Sequence, residues 1–246
     1  VRSPPPPVLC PPSKLTCCTD SCLLARVDGK RGSTWSPLPG LEAALPLLRA
    51  LSVMVSPLPP AFKLCVDANG AWDVATAVKM GRKLEPYDIY WLEEPVWPDD
   101  ILGSKEVAQK LSIPVAGYET CSYGMVDFQK YISHRAVHFV QPDVAWSGGL
   151  TECLKIAHLA QAANLPLAPH IHGSAVAVAA GLHLLGAIKN GSMAETVFPA
   201  HPLMTQLVKA PLAIDEDTGD ITLSEAPGLG IELNLDVVDR YRTNAN

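Results

Sequence analysis

From Ala61 onward the chain alternates between two rhythms of apolar and polar positions. Short, nearly unbroken apolar runs ("FKLCVD", "DIYWLE", "IPVAGYE", "AVHFVQPD", "LPLAPH" and "MAETVF") read as six strands. The first five are each followed by a stretch of helical periodicity: "VATAVKMGRKLE", "ILGSKEVAQKLS", "MVDFQKYISH", "GLTECLKIAHLAQAAN" and "SAVAVAAGLHLLGAI". Apolar strands separated by amphipathic helices predict a parallel sheet covered on its faces. The fold class expected is therefore α/β, a (β/α)8 TIM-type barrel.

The rhythm is absent from residues 1–60, which hold half of the prolines and four of the seven cysteines, Cys10, Cys17, Cys18 and Cys22. Residues 41–53 could form an apolar helix, but Pro46 interrupts it. "CLLARV" is a poor strand candidate, so the barrel is expected to be incomplete at its N-terminal strands. Three segments follow: an atypical proline- and cysteine-rich stretch (1–60), the barrel strands and helices (61–200), and an extension packed on the barrel (201–246). In that extension "DEDTGDITL" and "APGLGIELN" read as turns leading into short strands.

Bulk properties narrow the function classes. The 246 residues are 48% hydrophobic and 18% charged, enough to bury a large core. A net charge of -6 argues against a nucleic-acid partner and gives no reason to expect an anionic membrane. No apolar run reaches membrane-spanning length, since "LEAALPLLRALSVMV" contains Glu42, Pro46 and Arg49. "VRSPPPPVLCPP" lacks the apolar centre of a secretory signal, which leaves a cytoplasmic location as the default. The chain opens on valine, as a fragment would. The four early cysteines fit no common zinc spacing, and Cys65, Cys121 and Cys153 read as buried thiols.

Candidate chemistry lies at the strand ends. Asp67, Glu93, Glu119, Asp143, His170 and Glu195 follow one another at intervals of 26, 26, 24, 27 and 25 residues. One strand, one helix and two loops of a (β/α)8 barrel occupy about this length, so each residue would stand at the same end of its strand. Asp67, Glu93 and Glu119 then converge, and three anions sharing a site call for a cation. All-oxygen ligation favours Mg2+. Asp143 and His170, on neighbouring strands, can pair so that the carboxylate fixes the imidazole tautomer and strengthens it as a base. Taken singly, "DANG" is also a common turn, "LEEP" a helix start, "QPD" a capped turn, and His172 could replace His170. Glu195 could bond substrate or cap the barrel.

"VDANGAW", "YWLEEP", "VAGYET", "VQPDVAWSGGLTECLKIAHLAQAANLPLAPH" and "PGLGIEL" together resemble the barrel domain of the enolase superfamily, mandelate racemase/muconate lactonizing subgroup. The resemblance implies Mg2+ held by Asp67, Glu93 and Glu119, His170 as general base paired with Asp143, and Glu195 near the substrate carboxylate. Its implied activities are dehydration of acid sugars and racemisation or epimerisation of α-hydroxy acids, with small-molecule substrates and room for a homo-oligomer. The family's Lys-x-Lys pair, expected about thirty residues before Asp67, finds no lysine in "STWSPLPGL", which demotes two-base racemisation. The capping domain that normally precedes the barrel is expected to be absent. A non-catalytic truncated relative is the third reading.

Overall fold

The computed structural model describes residues 14–16, 22–26, 63–119, 124–195, 201–210 and 220–243. Its centre is a five-stranded parallel sheet: β2 (Cys22–Arg26), β3 (Lys63–Asp67), β4 (Ile89–Glu93), β5 (Val115–Gly117) and β6 (Phe139–Val140). The strands add in chain order. Single parallel bridges continue the sheet from Val140 to Leu167 and from Leu167 to Gly191. The predicted strand "LPLAPH" is thus reduced to isolated bridges at Leu167 and His170, and the last of these bridges falls at Gly191, just before "MAETVF". Pro166 and Pro169 lack the N–H groups a longer ladder would use.

Helices occupy the crossovers, as the periodicity predicts. They are α1 (Val74–Leu84), α2 (Ile101–Lys110), α3 (Met125–His134), α4 (Leu150–Ala162) and α5 (Ala175–Ala187). Asp73 starts α1 by accepting from the Thr76 N–H at 2.7 Å, and Asp100 starts α2 by accepting from Gly103 at 2.8 Å. Arg135, in the left-handed region at φ 54°, ends α3. No helix among the described residues is long and apolar enough to cross a membrane.

The pleat sorts side chains into two layers. Leu64, Val66, Leu92, Val115, Val140 and Leu167 meet Ala77, Leu84, Val107, Phe128 and Ile156 of the helices in the main core. Their neighbours in sequence, Cys65, Trp91, Ala116 and Ala168, join Met193 and Phe139 in a separate cluster on the opposite, inner face. A bulge keeps the two layers in phase. Leu64 pairs with Ile89 but Cys65 with Trp91, so Tyr90 is the extra residue. Cys65 and Cys153 are buried free thiols, as expected, while Cys121 lies outside the described residues.

Two features near the ends differ from the sequence reading. Cys22–Arg26 does form a strand, parallel to β3, with Arg26 in register with Asp67. A five-residue, mostly apolar run is long enough to pair with an exposed sheet edge, which local propensity alone underrates. It also relocates the strand before Asp67: Arg26, not a residue of "STWSPLPGL", stands at the Asp67 level. Described parts of the C-terminal segment touch the sheet-and-helix body. β1 (Lys14–Thr16) pairs antiparallel with β7 (Asp220–Thr222), and Ile221 packs with Ile171, Val178 and Leu182. Two short helices, α6 (Pro202–Thr205) and α7 (Leu235–Arg240), flank it. "APGLGIELN" supplies a single bridge, Leu233 to Val208, rather than a strand. Residues 41–53, the predicted N-terminal helix, lie outside the described residues.

Candidate active site

Two residues beyond the inner apolar cluster, the same strands change character. Asp67 follows Cys65, Glu93 follows Trp91, His170 follows Ala168 and Glu195 follows Met193. On β6 the inner-face sequence runs Phe139, Gln141, Asp143. Period-two alternation keeps these residues on the face of the cluster beneath them. Asp67 and Glu93 are in register, and so are Asp143 and His170. Glu119 stands just beyond the end of β5. Asp67, Glu93, Glu119, Asp143 and His170 are all buried.

Local chemistry orients each group. Asp67 accepts from the Asn69 backbone at 2.8 Å and from its side-chain amide at 2.5 Å. This turn needs Asn69 and Gly70 at φ 47° and 66°, which Asn and Gly tolerate. Trp91 Nε1 donates to Glu93 Oε2 at 3.0 Å. His170 Nδ1 lies 2.6 Å from Asp143 Oδ2, leaving Nε2 as the ring nitrogen for reaction. The other carboxylate oxygen of Asp143 accepts from the Ala145 N–H at 2.6 Å. Trp146 and His172 flank the His170 ring, with centroids 5.1 and 5.9 Å away. Glu195 Oε2 accepts from the Ile171 N–H at 3.0 Å, which ties it beside His170.

The electrostatics are those of crowded anions. Burial pushes Glu93 well above the usual carboxylate range, and the charges of Glu195 and Asp67 push it further. Burial does the same to Glu119, helped by Glu94, Glu93 and Asp67. Burial alone would lower His170. The Asp143 hydrogen bond and the charges of Glu195, Asp143 and Glu94 outweigh it, so the imidazole is a stronger base than usual.

These groups lie in one another's fields. Yet among the described residues no three His, Cys, Asp or Glu side chains are close enough together to hold a metal ion as they stand. The donor chemistry still fits a hard divalent cation: buried carboxylates raised by mutual repulsion are a set that positive charge would relax. Sequence reasoning missed Gln141, whose side chain hydrogen-bonds to Glu93, and Trp146. Strand parity from Asp143 back to Phe139 was the signal that could have found Gln141.

A parallel α/β barrel-type sheet, with carboxylates and a His–Asp pair ending its inner face, defines a class of barrel with its chemistry at the strand ends. Residues 26–237 match the family described as Enolase C-terminal domain-like, and the chain belongs to that family. It is 34% identical over 180 residues to an arabinonate dehydratase from Saccharolobus solfataricus, covering 73% of this chain and 47% of the relative. It is 32% identical to a D-galactarolactone cycloisomerase from Agrobacterium fabrum, covering 79% and 53%. Among solved structures, the 3,6-anhydro-D-galactonate cycloisomerase from Zobellia galactanivorans superimposes with a TM-score of 0.78 at 30% identity, covering 90% of this chain and 58% of that one. A mandelate racemase/muconate lactonizing enzyme from Sulfitobacter reaches 0.81 at 27% identity, covering 93% and 57%. The chain spans about half the length of the curated relatives it matches.

Proposed function

We propose that this chain carries the catalytic face of an Mg2+-dependent acid-sugar dehydratase. The observation that carries this reading is the buried His170–Asp143 pair at 2.6 Å, on strand ends adjoining those of three buried carboxylates. The relatives named as dehydratases and cycloisomerases of sugar acids support the substrate class. Asp67, Glu93 and Glu119 are the residues that would hold the cation, which when bound would stabilise negative charge on the substrate carboxylate.

The chain's own residues account for the proton movements. His170 Nε2 takes the proton from the carbon next to the carboxylate. Asp143 holds the ring in the tautomer that leaves Nε2 unprotonated and stabilises the imidazolium that forms. The β-hydroxyl then departs as water, carrying the proton returned by the imidazolium, and the resulting enol tautomerises to a 2-keto-3-deoxy acid. Glu195, anchored at Ile171, would contact the carboxylate end of the substrate.

Incubation with Mg2+ and an acid-sugar library in D2O tests the assignment. Formation of 2-keto-3-deoxy product is expected. Deuterium at the α-carbon of recovered substrate would instead favour racemisation, and no exchange with bound Mg2+ would favour a non-catalytic relative. His170→Asn is predicted to lower exchange by about 10³-fold while leaving metal affinity nearly unchanged. Activity surviving that substitution would show that the base is elsewhere.

A further inference from the structure

Gln141 is a buried amide at the junction of the two halves of the site. Val140 before it faces the helices and Phe139 packs with the inner cluster, so strand parity puts Gln141 on the inner face, one pleat below Asp143. Its backbone N–H bonds to the Gly117 carbonyl at 3.1 Å, which fixes its height against β5. Its side chain hydrogen-bonds to Glu93, so the NH2 group is directed at that carboxylate and the carbonyl oxygen is turned away. That oxygen, Oε1, is fully buried and has no hydrogen-bond partner.

A buried amide oxygen left without a donor is costly, and native folds leave few of them. One between a carboxylate cluster and a His–Asp base is explained if a bound molecule supplies the missing donor. The groups around it constrain that molecule. The Glu93 carboxyl beside the amide makes an anionic ligand group unfavourable there, which leaves a neutral O–H as the donor.

We propose that Gln141 Oε1 accepts a hydrogen bond from a hydroxyl of the bound substrate, making Gln141 the residue that reads one hydroxyl position of a polyhydroxy acid. This rests on the acid-sugar reading given above. A substrate lacking that hydroxyl leaves Oε1 unsatisfied. The site would therefore discriminate by what it loses with the wrong substrate.

The test is calorimetry on the full chain, wild type and Gln141→Met. Mg2+ is titrated alone, then a set of five- and six-carbon aldonates and their monodeoxy counterparts is titrated in the presence of Mg2+. Gln141→Met is expected to weaken the full aldonate about tenfold or more. Mg2+ alone, and the one deoxy acid missing the partnered hydroxyl, should lose only the small share that follows from the contact with Glu93, so that the full aldonate loses selectively more. Uniform weakening of Mg2+ and of every acid would overturn the proposal and leave Gln141 only a support for Glu93. Unchanged binding of everything would also overturn it. Failure of the wild type itself to bind any aldonate would sink the acid-sugar reading, and this proposal with it, before any substitution is compared. Should Gln141→Met not fold, Gln141→Asn keeps the amide but withdraws it by one methylene, and is expected to show the same selective loss.

Discussion

The inner face of the sheet is two different places one pleat apart. Cys65, Trp91, Phe139, Ala168 and Met193 form an apolar plug, while Asp67, Glu93, Gln141, Asp143, His170 and Glu195, two to four residues further along the same strands, form a polar ring. Two residues of strand cover only about 6.6 Å. The plug gains from burial in the ordinary way. Apart from half-buried Glu195 the ring is buried as well, but it works against folding, because its carboxylates are desolvated and repel one another. The same strands and the same face therefore carry both the stabilising apolar layer and the proposed site, and the position along the strand decides which.

If the plug is stability and the ring is function, substitutions in the two should behave oppositely. Trp91→Ala removes the largest side chain of the plug and also the hydrogen bond to Glu93. It is expected to cost about 3–5 kcal/mol in a denaturant titration. In the ring, Asp143→Asn should preserve stability but lower the rate of α-proton exchange about 10²-fold. It should also move the pH profile. A base works when neutral, and His170 is raised, so wild-type exchange should rise with pH to a midpoint above the usual value of about 6.5. In Asp143→Asn that midpoint should fall.

Glu93→Gln separates the layers more finely. Because Glu93 and Glu119 are raised in the folded state, the folded protein binds more protons than the unfolded one above the ordinary carboxylate range of about 4.3. Stability should thus decline as pH climbs from there through the raised folded values. Glu93→Gln is expected to raise the melting temperature of metal-free protein by a few degrees at pH 8 and by little at pH 5. The smallest effect is expected outside both layers. Glu152 is a half-buried acid on α4 whose carboxylate accepts from Met125 at the start of α3 and pairs with Lys155. Glu152→Gln should shift melting by about a degree at most and leave exchange untouched.

Much of this arrangement was legible in the sequence because two periods coincide. The strand–helix repeat set the interval between Asp67, Glu93, Glu119, Asp143, His170 and Glu195, and the two-residue pleat put most of them on one face. The choice of Glu93 over Glu94 comes from the resemblance of "YWLEEP" to the family, and the register of Asp67 with Glu93 agrees with it. Gln141 escaped notice because an amide carries no charge pattern. Cys22–Arg26 was discounted because its pairing depends on β3, about forty residues away, and not on its own sequence. The bulge at Tyr90 leaves no local mark either, yet without it Trp91 and Glu93 would point toward the helices.

The central claim is that the ring's carboxylates are assembled for a divalent cation. Calorimetric titration of the metal-free chain with Mg2+, run at pH 7 in two buffers of different ionisation heat, tests it most directly. One binding event is predicted, with protons released as the cation displaces them from Glu93 and Glu119, and it should vanish in Glu93→Gln. Absence of binding, or binding that survives Glu93→Gln without proton release, would contradict the account.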